Sequence, residues 1–169
     1  MSEQSTLATA IHEAGHAVAC FRLFPDRMTG TLSILRNRDD GLLGSHESEK
    51  ILLPRSTGDD DAERIFESDA VYTCAGYGAM IAKGFPEEEA IVGCEQDFEE
   101  ARPRLNAAKV KAVELMSSTE NIKAVSRLAE ELMRFKSMQP DHVEVVIELT
   151  QGECSETEYR EFLGHLGLV

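Results

Sequence analysis

Leu7-Ala-Thr-Ala-Ile-His12-Glu13-Ala-Gly15-His16-Ala-Val18 is the stretch on which the reading of this chain turns. Leu7, Ile11, Ala14, Val18 and Phe21 step by four and three, drawing an apolar stripe along a helix from about Ser5 to Phe24. Pro25 and Asp26 stop that helix, because proline has no N–H for another turn. His12-Glu-Ala-Gly-His16 within it is an HExxH. Residues four apart share a helical face, separated by about one 5.4 Å turn. The imidazoles of His12 and His16 can therefore converge on one Zn²⁺. Glu13, beside the first of them, can act as general base on water that the metal acidifies. Gly15 costs about 1 kcal/mol of helix propensity relative to alanine, which points to a close approach of another backbone or of substrate.

Around this helix the chain reads as mainly α with a small β-sheet, an α+β arrangement in one domain spanning residues 1–169. Thr31 to Arg36 alternates at period two, Asn37 to Gly41 has turn chemistry, and Leu42 to Glu49 can return as a second strand. Gly58 to Asp61 leads into a helix predicted to run on through Ala70 to Lys83, ending near Gly84 and Pro86. Glu95 to Ala101 starts another, which Pro103 kinks or restarts. Leu105 to Met116 and Ile122 to Phe135 carry helical stripes, whereas Asp141 to Thr150 fits helix and strand equally. Ser155-Glu-Thr-Glu158 has capping-box spacing and opens a last short helix.

Composition excludes several classes. Seventeen Lys and Arg against 31 Asp and Glu leave a net charge of −14. Such a surface repels phosphate backbones and anionic membranes, and attracts cations and basic protein segments. The longest apolar run, Ala17 to Phe21, is far short of the ~20 residues a spanning helix needs. No basic residue precedes Arg22, so the n-region of a signal peptide is missing and a cytoplasmic location is expected. Cys20, Cys74, Cys94 and Cys154 are scattered with no CxxC pair, as in a chain that keeps its thiols reduced.

A catalytic zinc needs a third protein ligand and an open position. The metzincin continuation HExxHxxGxxH fails here, because its positions hold Ala19 and Arg22. His46, Asp97, His142, His165 and the acidic residues remain. Gly93-Cys-Glu-Gln-Asp97 is the best lead among them, since a loop entering a helix can aim a carboxylate across the fold.

Leu7 to Val18 resembles the signature helix of the FtsH-type ATP-dependent zinc metalloproteases. Thr31 to Arg36 with Gly41-Leu-Leu-Gly-Ser45 resembles the strand, turn and "GY"-containing strand of that family. Val92-Gly-Cys-Glu-Gln-Asp-Phe-Glu-Glu-Ala101 is similar to its "SGAxNDLxxAT" segment. The likeness covers residues 7–116; only a helical pattern is shared over 117–169. It implies a helical, zincin-like peptidase fold of the FtsH type, with His12, His16 and Asp97 on zinc and Glu13 as catalytic base. It further implies that Leu42, Leu43, Gly44, Ser45 and His46 form a sheet edge reading unfolded polypeptide by strand addition. The expected activity is endopeptidase cleavage of peptides or unfolded proteins, independent of ATP within these residues. The alternative is a catalytically inactive metal-binding adaptor on the same fold. These residues hold no Walker motif, so an ATPase could act only in trans; self-assembly is the other partnership considered. The family's "GGRxAEE" helix aligns with Ala75 to Ile81, placing Met80 and Ile81 where it has two acids, and its Asn before the ligand Asp is Gln96 here.

Overall fold

The computed structural model describes residues 3–28, 30–36, 43–46 and 58–168. Nine helices and three short strands are found among them. Helix α1 (Glu3–Leu23) carries the HExxH and runs through the middle of the molecule. From Ala10 to Cys20 every residue except His12 is buried, so the expected single stripe is in fact burial all round. Small side chains make this possible. Ala10, Ala14, Gly15, Ala17 and Ala19 let neighbours approach on several sides at once.

The sheet is small and antiparallel. Strand β1 (Leu32–Arg36) pairs with β2 (Leu43–His46), with a register irregularity between Ser33 and Arg36. The expected antiparallel pairing is present, although the expected turn over Asn37 to Gly41, Leu42 and the strand end from Glu47 to Glu49 lie outside the described residues. A third strand, β3 (Ser137–Met138), pairs with the other side of β1, giving the order β2-β1-β3. Two residues are too few for a period-two pattern to announce them. Lys136, left-handed at φ 68, ends the preceding helix and turns the chain into β3, and its carbonyl accepts from the Ile34 N–H.

The long helix expected up to Lys83 is two. Helix α2 (Asp59–Thr73) stops at Cys74, and α3 (Ala75–Ala82) restarts at once. The seams around α3 require glycine. A Cβ at Gly15 of α1 would lie 2.6 Å from the Ala75 carbonyl oxygen and from Ala79 Cβ. The close backbone approach expected at Gly15 is therefore the packing of α1 on α3. Then come α4 (Glu87–Ala90), too short to have been foreseen, and α5 (Glu95–Glu100). Pro103 sits in a 3-10 turn (Arg102–Arg104) that restarts the chain as α6 (Leu105–Met116).

Helix α7 (Thr119–Phe135), capped by Ser118, lays Ala124, Val125, Leu128 and Leu132 against the core. The ambiguous stretch is a helix, α8 (Pro140–Gln151), with His142, Val143, Val146 and Ile147 buried at helical spacing. Proline at its first position and left-handed Gly152 (φ 79) after its end decide the matter, as both favour a helix there. Helix α9 (Glu156–His165) opens with the expected box: Glu158 N–H donates to Ser155 Oγ at 3.3 Å, and Ser155 N–H donates to Glu158 at 2.8 Å. No helix among the described residues is long and apolar enough to cross a membrane.

Candidate metal centre

His12 and His16 lie one turn apart on α1, and their Nε2 atoms approach to 3.1 Å. Asp97, on the first turn of α5, brings Oδ2 to 3.3 Å from His12 Nε2 and 3.4 Å from His16 Nε2. The residues proposed from the sequence are thus brought together from two helices far apart in the chain.

The partner on the far side of the His16 ring settles what that ring turns inward. His16 Nδ1 is 3.1 Å from the Tyr72 carbonyl oxygen, which can only accept, so the ring proton sits on Nδ1 and Nε2 keeps its lone pair. That carbonyl is in the last turn of α2, just before the break at Cys74.

Asp97 Oδ2 is sealed from solvent and has no hydrogen-bond partner of good geometry. With both rings neutral, three lone-pair donors face one another across 3.1–3.4 Å. A positive charge is the missing element. Without a metal, a proton can play that part. Burial opposes charging His16, but its hydrogen bond to Asp97 and the charges of Asp97 and Glu13 outweigh burial and lift its pKa to about 9. Asp97 is held well below the usual carboxylate range; burial works against this, and His12 and His16 overcome it.

The spacing also fits zinc. Donors about 2.0–2.1 Å from a tetrahedral zinc stand about 3.3 Å from each other, close to the three separations seen here. His12, Cys94 and Asp97 form an overlapping set whose donors lie within 4.8 Å of one another. We favour the tighter set. Cys94 Sγ faces His12 Nδ1, not Nε2, and its S–H is directed at the Ala90 carbonyl oxygen at 3.1 Å. Burial, with the charge of Asp97 next, pushes the Cys94 pKa up to about 12.

Glu13 is buried beside His12, with its pKa raised chiefly by burial, against the lowering effect of the two histidines. His12 and Glu13 form one wall of a cavity of about 390 Å³, whose other walls include Ala8, Met80, Phe85 and Val92. Met80, at a position where the resemblance predicts an acid, lines this cavity as an apolar surface. Ile81, at the other, packs partly buried against the core. Gln96 is exposed and donates to Glu100, away from the histidines.

No family model matches this chain, and no curated protein is significantly similar to it. The case for the site therefore rests on its geometry.

Of the other candidate ligands, His142 and His165 lie elsewhere. His142 is fully buried with Nε2 3.0 Å from the Tyr159 hydroxyl, between the rings of Phe135 and Phe162, as a core histidine. His165 is exposed in the last turn of α9, suited to the helix dipole. The backbone of His46 belongs to β2. Sequence reasoning missed Tyr72, Gly76 and Cys94 as supports. A Cβ at Gly76 would fall 2.5–2.6 Å from three atoms of the His12 ring, so only glycine lets α3 seat that imidazole. The spacing of these residues in the sequence carries no signal of that contact.

Proposed function

We propose that this chain is a zinc-dependent endopeptidase of the FtsH type, acting on peptides or unfolded polypeptides. The observation carrying this reading is the convergence of His12 Nε2, His16 Nε2 and Asp97 Oδ2 to within 3.4 Å of one another, beside a buried Glu13 and an open cavity. These three residues would hold the ion. When bound, zinc supplies Lewis acidity toward a peptide carbonyl and toward water. The Glu13 carboxylate takes the proton of the attacking water and delivers it to the leaving amine, work suited to a base whose proton affinity burial has raised. Ala8, Met80, Phe85 and Val92 offer apolar surface beside the reacting bond. Among the described residues strand β2 lies at the sheet edge, which supports the strand-addition reading for Leu43 to His46.

The test is cleavage of unfolded casein by protein purified without chelator. Zinc at one equivalent, cleavage abolished by o-phenanthroline, and loss of the metal in Asp97→Ala are expected. Zinc binding without cleavage would favour the adaptor, and absence of zinc would refute both.

A further inference from the structure

We propose that Cys94 is a positioning residue for His12: its sulfur accepts the His12 Nδ1–H and thereby aims the Nε2 lone pair at the point where His16 and Asp97 converge. The inference rests on the metal centre proposed above and adds a residue to it.

Three observations carry it. First, Cys94 Sγ lies 3.1 Å from the Ala90 carbonyl oxygen and 3.8 Å from His12 Nδ1. A carbonyl only accepts, so the thiol proton points to Ala90 and the sulfur lone pairs are left for the ring. The ring must then carry its proton on Nδ1 to use them, as His16 does toward Tyr72. Both imidazoles therefore present bare Nε2 atoms, each by a different partner.

Second, Cys94 and Asp97 stand three residues apart where α5 begins, so they share one helical face. One turn offers a thiol to one nitrogen of His12 and a carboxylate to the other. Left-handed Gly93 (φ 87) reverses the chain just before this turn, between α4 and α5. Third, the face of the same ring rests on Gly76, where no Cβ would fit. His12 is thus confined at both nitrogens and on one face. Partners of this kind hold a ligand's tautomer and orientation, and losing one typically costs about 10–100-fold in metal affinity.

Zinc affinity is to be measured by chelator competition for wild type, Cys94→Ala and Cys94→Ser, with side-chain ¹⁵N spectra of metal-free wild type at a pH where the His12 ring is neutral. We expect about 10–100-fold weaker zinc binding in Cys94→Ala. Serine, which can donate and accept in the same manner, restores part of the loss. Metal-free wild type shows His12 protonated at Nδ1. An Nε2–H tautomer there would overturn the proposal even if neither variant folds, and so would Cys94→Ala binding as tightly as wild type. An intense thiolate charge-transfer band in the Co²⁺ form would overturn it too, by making Cys94 a ligand. A wild type that takes up no zinc would instead overturn the metal centre itself.

Discussion

A methyl group added at Gly76 would meet the His12 ring at 2.5–2.6 Å, a contact neither backbone nor imidazole can accept without shifting. Gly76→Ala should therefore weaken zinc binding at least as much as loss of a ring partner, about tenfold or more, in a chelator competition. A change confined to folding stability, with zinc affinity intact, would contradict this account of the pocket. Glu13 calls for the opposite pattern. Glu13→Gln removes the base and keeps the shape, so casein cleavage should fall at least ~10²-fold while zinc stoichiometry stays at one. Cleavage unchanged in that variant would point to another protease in the preparation or to a wrong assignment.

Helices α1, α3 and α6 meet along glycine seams. A Cβ at Gly78 would lie 2.6 Å from the carbonyl carbon and oxygen of Ala112 on α6, whereas Ala75 and Ala79 of α3 face Gly15 on α1. Gly78→Ala should cost about 1–3 kcal/mol by overpacking, read from the urea unfolding midpoint. A smaller loss would mean that α6 can slide outward. Helices α8 and α9 supply a pH test. Burial is the main cause of a lowered His142 pKa, helped by Arg134 and opposed by Asp141. His142 is neutral in both states above its ordinary value of 6.5; below it the unfolded chain binds a proton that the folded site resists. Stability is thus lost as pH falls from 6.5 toward the lower folded pKa. Between about pH 7.5 and 5, wild type should lose more stability than His142→Gln. Parallel curves would remove this role.

Buried residues from Ala10 of α1 to Leu163 of α9 form one contiguous cluster, and a smaller one lies under α2, α5 and α6. The centre draws on both ends of this arrangement: histidines from the middle helix, and Asp97 from a short outer helix of six residues whose side chains are largely exposed. A bound ion would tie α5 to α1. Added zinc should accordingly raise the thermal midpoint, by a stabilisation of about 2.7 kcal/mol at a hundredfold excess over Kd, and chelator should reverse it. Asp97→Ala should abolish the zinc response. A response that persists in that variant would place the ion elsewhere.

Much of this was legible from local pattern. HExxH on a helix, the paired strands β1 and β2, the stripes of α6 and α7 and the capping box all depend on neighbours within one or two turns, where spacing and side-chain chemistry suffice. A loop entering a helix marks Gly93 to Asp97 as the best lead for a third ligand, but the choice of Asp97 within it rests on family likeness. The break at Cys74 was hidden because helix propensity is continuous there, while the contact of the Tyr72 carbonyl with His16 joins segments far apart in the chain. Strand β3 and the fit of Gly76 under the His12 ring were equally invisible, since each is defined by a partner distant in the chain. Local sequence thus determined which side chains could bind and activate. Only the packed helices decided that His12, His16 and Asp97 meet, because that meeting depends on contacts between segments no short window contains.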